Sequence, residues 1–482
     1  MPPQTPPQTP LGAPKEMPSP LPFCVGKTSG EAYPAATPEE LDRHLSAPVP
    51  APKRTPASFS GGKDFAIASG LDPNDLRSAG WGVLFGATVS DAIRDALKPL
   101  LDWRAQQAEA NYRCFDGSQR CREGQSARLW VAEQNGDFQA ADPRDGLPFY
   151  LLLVADPAEI PFEFQYDLDL NYAVGRLWFD DAGHFARYAR SVVEQEQAAA
   201  ARRPRRIGLV ATRHEYDQAT QMLHDLVARP LNEGTAAHPP IGAPAIVDRD
   251  CLLGPQATKQ ALLDMLETGD GAPAILFTGS HGLGLDANDP ALIAEQGAMV
   301  CADWAGGGHG PITASQILAG RDISAAAQVA GMIHFMFACY GGGCPRYDNF
   351  ARTSTSPAQI ADKPFIASLP QALLAHENGS ALAVIAHVER AWAYSFLNEF
   401  GQPKIAMFRN ILTELANGAR VGQAVDGANA YWANHSTRLA ELQFQAQNDP
   451  DIDAETLGAV WIARDDARNM IVLGDPAVRA RV

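Results

Sequence analysis

A histidine and a cysteine, each set between an apolar run and glycine, are the residues of this chain best suited to chemistry. Ala274-Ile275-Leu276-Phe277-Thr278-Gly279-Ser280 leads into His281-Gly282, and Ile333-His334-Phe335-Met336-Phe337-Ala338 leads into Cys339-Tyr340-Gly341-Gly342. Parallel strands that end this way bring both reactive side chains to the carboxyl edge of one sheet, where open α/β folds carry their sites. A cysteine becomes a nucleophile when a neighbouring base favours its thiolate. The chemistry expected is hydrolysis through a thioester: Cys339 attacks a peptide carbonyl, and His281 protonates the leaving amine and then activates water. Gly282 and Gly341 leave space beside the two side chains. Isolated histidines in apolar strands, such as His334 and His387, read as core residues.

The elements that must position this pair alternate along the chain. Apolar strands are expected at 147–154, 172–177, 207–211, 245–247, 274–279, 333–338, 380–386 and 470–473. Helices are expected at 90–106, 181–201, 217–231, 258–268, 315–318, 370–378, 406–417 and 424–443. The alternation predicts an α/β fold with mostly parallel sheets covered on both faces. The chain has 482 residues, of which 46% are hydrophobic, enough for one large core or two domains. Its formal net charge of −17 excludes a broad phosphate-binding stripe, so no nucleic-acid partner is expected. Seven cysteines are too few, and odd in number, for a secreted disulfide scaffold. No apolar run approaches a membrane span and no signal peptide opens the sequence, so no membrane partner is expected and the cytoplasm is the expected location. No metal-ligand spacing is present and no cofactor is expected; calcium binding stays open.

The order of motifs resembles the caspase-like cysteine peptidases, which include caspases, legumains, separases and gingipains, and the gingipain branch (family C25) in particular. Tyr172-Ala173-Val174-Gly175-Arg176 resembles its Val/Ile-Gly-Arg strand, and Tyr188 to Glu196 the helix after it. Thr278-Gly279-Ser280-His281-Gly282 is similar to its Tyr-Thr-Gly-His-Gly, with one residue more. Val384-Ile385-Ala386 with Trp392 resembles its Ile-Ile-Ala-Ser strand and following Trp, and Leu473-Gly474-Asp475-Pro476 its closing Phe-Gly-Asp-Pro. The resemblance runs from about residue 145 to 480. The loop from Leu283 to Gly310 departs from it. It implies a three-layer sandwich of two α/β subdomains, 61–203 and 204–482, the second catalytic. It also implies that the backbone N–H groups of Gly282 and Cys339 stabilise the oxyanion, each donor being worth about 3 kcal/mol. By the same resemblance Glu215, or His214 beside it, holds the catalytic histidine. Asp217, at the start of a helix, lines the primary pocket and pairs with a substrate Arg or Lys; the alternative for Asp217 is a helix N-cap. Trp392 is either an aromatic wall of that pocket or a core residue.

The function expected is a cysteine endopeptidase acting on proteins or peptides after basic residues. Residues 1–60, rich in Pro, Ala, Ser and Thr, form either a solvated tail or a pro-segment over the active site. Lys53-Arg54 and the Arg202 to Arg206 cluster are candidate processing points. Such a zymogen would be released by processing or by a regulatory protein partner. The alternatives are an interaction module that keeps the fold without the activity, and an enzyme preferring acidic or small residues, in which Asp217 is only a cap.

Overall fold

Ten strands form one sheet through the molecule. In chain order they are β1 (Trp81–Phe85), β2 (Tyr112–Phe115), β3 (Tyr150–Val154), β4 (Ala173–Leu177), β5 (Arg206–Ala211), β6 (Asp248–Leu253), β7 (Ile275–Gly279), β8 (Ile333–Phe337), β9 (Ala383–His387) and β10 (Met470–Gly474). The computed structural model describes residues 21–37, 40, 67–136, 140–144, 146–199, 206–242, 248–268, 271–352, 357–397, 402–446 and 454–481. The strand expected at 245–247 and the basic residues Lys53, Arg54, Arg202, Arg203 and Arg205 lie outside the described residues.

The strand order is β2-β1-β3-β4-β10-β9-β8-β7-β5-β6. Neighbours are parallel except β9 and β10. Two five-stranded parallel halves therefore run in opposite directions, and their carboxyl edges lie at opposite ends of the sheet. The last strand of the chain completes the half built by residues 81–177. The strands read as apolar runs because both faces are covered: every residue of β1, β3, β4, β7, β8, β9 and β10 is buried.

The helices obey their sequence signals. Asp91–Ala108 is N-capped by Ser90, whose side chain accepts from the Ile93 N–H, and it buries Ile93, Leu97, Leu100, Arg104 and Ala108 at three- and four-residue spacing. Ala182–Gln197 starts on an Asp181 cap, and Lys259–Glu267 on a Thr258 cap. The helix expected at 217–231 widens in the middle: Gln218–Leu223 passes through a five-residue π turn, His224–Ala228, before Arg229–Glu233. Pro230 explains this, since its ring opposes the carbonyl four residues back. The helix expected at 315–318 is instead a single 3₁₀ turn, Ala314–Gln316, because Ile317 and Leu318 pair with Val300 and Met299 as strand. Strands β1 and β2 and the helix Ala454–Arg468 have no counterpart among the elements expected from the sequence.

Three separated motifs converge where the two halves meet. Gly175 of β4 lies so close to β10 that a Cβ there would sit 2.1 Å from the Gly474 carbonyl oxygen. The Tyr188 hydroxyl accepts from the Asp475 N–H at 2.6 Å and donates to the Leu382 carbonyl at 2.7 Å. Asp475 accepts from the Trp81 indole (2.9 Å) and from Arg104 Nε (2.7 Å), and the other end of that guanidinium forks onto Glu196 with two contacts of 2.7 Å. Burial alone would raise the Glu196 pKa, but Arg104 holds it down at about 2.

Candidate active site

Strands β7 and β8 are adjacent, with Gly279 opposite Phe337, so both end at the same level. His281 lies two residues past the first end and Cys339 two past the second, which brings the predicted pair to one edge. The turns that carry them are in close contact: a Cβ at Gly282 would lie 1.9 Å from the Cys339 carbonyl oxygen. Tyr340, next after the cysteine, has φ 58°, a left-handed conformation uncommon for a residue with a side chain, and marks a sharp turn at the nucleophile. Its N–H is fixed to the Glu389 carbonyl at 2.8 Å.

His281 is fully buried. Its Nε2 lies 2.8 Å from Asp217 Oδ2, and its Nδ1 has no hydrogen-bonding partner among the described residues. The same Asp217 oxygen accepts from the Thr220 N–H at 2.9 Å and from the Thr220 hydroxyl at 2.5 Å, capping the helix Gln218–Leu223. Burial would raise the Asp217 pKa, but His281 and then Thr220 hold it well below the usual carboxylate range. Asp217 is thus the residue that both caps the helix and orients the histidine. Glu215, expected in that place, is exposed, and its backbone carbonyl accepts from the Gln221 side chain. The turn from Glu215 through Tyr216 to the cap aims the first carboxylate outward and the second inward. His214 packs edge-on against Trp304 (4.7 Å between ring centres), and burial, reinforced by His281, lowers its pKa to about 4, so it is neutral near pH 7. Trp304, from the long loop, also meets the His281 ring at 5.7 Å; no signal in the sequence singled it out.

Cys339 is fully buried too. Its Sγ accepts from the Ala391 N–H at 3.1 Å. Burial pushes its thiol pKa well above the usual value, and the neighbouring Cys24 thiol adds to the rise. Trp392 is buried, with its ring 5.1 Å from Phe350 in a cluster with Tyr394, Ala459, Ile462 and Ala463. This is the core role. Its backbone, however, borders the site, where Asp466 accepts from the Trp392 N–H (3.0 Å) and the Ser395 hydroxyl (2.7 Å).

The cleft is filled by the chain's own leader. Leu21–Phe23 runs antiparallel to Ala391–Ala393: the Phe23 N–H donates to the Ala391 carbonyl at 2.8 Å and the Ala393 N–H to the Leu21 carbonyl at 3.1 Å. The Phe23 carbonyl then accepts from the Gly282 N–H at 2.8 Å and the Cys339 N–H at 3.2 Å. These are the two donors expected to stabilise an oxyanion. Beyond them Cys24–Gly26 pairs in parallel with Gly282–Gly284. The long loop holds the leader beyond that strand. Lys27 forms ion pairs with Glu295 (2.9 Å) and Asp289 (3.4 Å), and the Glu31 carboxylate accepts from the Gly308 N–H at 2.6 Å. At Gly30, φ 67°, a Cβ would lie 1.8 Å from the Gly310 carbonyl oxygen, so only glycine fits. Residues 21–33 of the leader therefore lie over the site. The one signal in the sequence was the apolar run Leu21-Pro22-Phe23-Cys24-Val25 within a polar, proline-rich stretch.

A sheet-edge cysteine on the turn next to that of a histidine held by a carboxylate, with two convergent N–H donors, suits the chemistry of a cysteine-type hydrolase. The chain belongs to Peptidase family C25, whose family profile matches residues 86–481. It is a cysteine-type peptidase. Among solved structures it is similar to one described as "Structure of Protease", with 13% identity, 85% of this chain and 80% of that chain covered, and a TM-score of 0.49. It is also similar to the complex of Porphyromonas gingivalis RgpB pro- and mature domains, with 10% identity, 83% and 80% covered, and a TM-score of 0.44. No curated protein matches it.

Proposed function

We propose that this chain is a latent cysteine endopeptidase, with Cys339 as nucleophile, His281 as general acid and base, and residues 21–33 as the inhibitory segment. The single observation that supports it is the Phe23 carbonyl held by the N–H groups of Gly282 and Cys339. A substrate carbonyl placed there would carry its developing negative charge between two fixed donors as the Cys339 sulfur, its proton passed to His281, adds to it. His281 then gives its proton to the leaving amine and takes one from the water that opens the thioester, while Asp217 keeps its Nε2 engaged and stabilises the imidazolium. Latency comes from the same contacts: the leader excludes water and substrate, and the buried thiol stays protonated. The expected preference for Arg or Lys relied on Asp217 as pocket floor. With its Oδ2 taken by His281 and Thr220, Asp217 serves as orienting acid in this reading, and the basic preference loses its counter-charge. Activation requires withdrawal of the leader, by processing or by a protein partner.

The test is hydrolysis of an unfolded protein substrate by the full chain, by Phe23→Asp, and by Phe23→Asp combined with Cys339→Ala. Little, more and none is the expected order. If Phe23→Asp remains silent and its Cys339 is alkylated no faster than the exposed Cys114, the chain is a scaffold and the peptidase reading fails.

A further inference from the structure

We infer that the primary specificity pocket accepts a large apolar side chain, preferably aromatic, and not a basic one, and that Phe337 and Phe396 set this preference. The inference rests on the peptidase reading above and deepens it. The leader crosses the cleft as a substrate would: residues Leu21–Phe23 add as a strand on one side, and the Phe23 carbonyl enters the oxyanion donors. That register makes Phe23 the residue before the bond facing Cys339, with Cys24 after it. The Phe23 side chain therefore reports the pocket that selects the cleaved residue.

That pocket is an aromatic nest. The Phe23 ring lies edge-on to Phe337 at 5.0 Å between centres and to Phe396 at 5.8 Å, with His281 tilted against it at 5.8 Å. Phe408 backs both walls, 5.4 Å from Phe337 and 6.4 Å from Phe396. All four phenylalanines are fully buried. Edge-to-face contacts of this kind favour another aromatic ring. Two carboxylates that border the site have other partners: Asp217 holds His281 and Thr220, and Asp466 holds the Trp392 N–H and the Ser395 hydroxyl. A guanidinium placed against Phe337 and Phe396 would be desolvated among aromatic rings, with neither of these carboxylates free to pair with it.

The leader sequence supplies the probe. Full-length Phe23→Asp, which weakens the leader's hold, is treated with Leu-Pro-Phe chloromethyl ketone or Leu-Pro-Arg chloromethyl ketone, with iodoacetamide as a size-neutral control. Modification of Cys339 is tracked by mass spectrometry. The phenylalanine reagent is expected to react at least about tenfold faster than the arginine reagent. Phe396→Asp in the same background is expected to bring the two within about threefold, by placing a carboxylate in the pocket; the first comparison stands without this variant if it does not fold. Equal or faster reaction of the arginine reagent overturns the aromatic pocket and leaves the peptidase reading intact. If neither peptide reagent outpaces iodoacetamide, the cleft does not bind peptides and both readings fall.

Discussion

At the carboxyl edge of the first half-sheet, the turn after β1 is closed by Glu159, whose carboxylate accepts from the Ala87 and Thr88 N–H groups and the Thr88 hydroxyl. Next to it Arg176 ties the carbonyls of Ile160 (2.7 Å) and Pro161 (3.1 Å). At the carboxyl edge of the second half, the equivalent space holds His281 and Cys339 and is closed by Phe23, a residue more than 250 positions earlier in the chain. Both edges present the free backbone donors that parallel strands leave at their ends. One satisfies them permanently with a local side chain. The other satisfies them with a carbonyl that can be withdrawn. The difference shows that the topology supplies an edge, and that reversibility of the cover makes that edge a site.

The most severe way to break the second edge while sparing its cover is Asp217→Asn. Asparagine still caps a helix, but it does not stabilise an imidazolium and favours the wrong tautomer. In the Phe23→Asp background, kcat/KM is expected to fall about 10²- to 10⁴-fold for every substrate, whatever the side chain before the cleaved bond. A loss confined to Arg and Lys peptides would return Asp217 to the pocket floor.

Next in size is the ion-pair cluster that ties Asp475, at the end of β10, to the helices of the first half. Arg104→Met would leave Glu196 and Asp475 buried without their counter-charge, at a cost of about 3–5 kcal/mol in urea unfolding. The pH dependence has a definite sign. Glu196 is held at about 2 in the folded protein against 4.5 as an ordinary carboxyl. Its contribution is therefore full above about 4.5 and is lost as pH falls toward 2. In Arg104→Met the depression disappears, and acid unfolding is expected to begin at higher pH. An unchanged acid limb would place the linkage elsewhere.

Phe23→Asp tests the removable cover itself. Burying a phenylalanine contributes about 1.5–3 kcal/mol, and each 1.4 kcal/mol is tenfold in the open population. Iodoacetamide should therefore modify Cys339 about 10- to 100-fold faster than in the unaltered chain. No change would mean that the thiol is shielded by something other than the leader.

The placement of His281 and Cys339 at one sheet edge and the parallel sheet were legible because both depend on local pattern: an apolar run sets a buried strand, and glycine at its end opens the turn. The motifs at Gly175, Tyr188 and Asp475 were legible as a set, but their job of joining two half-sheets was not, since β10 enters the first half only through long-range pairing. Strand β1 escaped notice because Trp81-Gly82-Val83 has no alternation, and β2 because Tyr112-Arg113-Cys114 is an exposed edge. Both acidic candidates were placed on the right turn, but the contact to His281 falls on Asp217, which also takes the cap that was its alternative reading, because two residues of backbone direction decide which carboxylate points inward. Phe23 was beyond reach for a related reason. A docked segment is recognised by what it covers, and its own composition records mainly that it can come away.

The smallest effect is expected at the permanently closed edge. Glu159→Ala removes a carboxylate from the backbone donors of Ala87 and Thr88, which then turn to solvent at the exposed rim of that loop. Hydrogen bonds to a charged group contribute about 1.5–3 kcal/mol when buried, and partial exposure lowers this to about 1 kcal/mol. Thermal unfolding should shift by only about 1 °C in a chain of this length, and alkylation of Cys339 should keep its rate, because the two carboxyl edges lie at opposite ends of the sheet. If Glu159→Ala accelerated modification of Cys339, the halves would be coupled through β10 and β9, and the first edge would count as part of the restraint on the second.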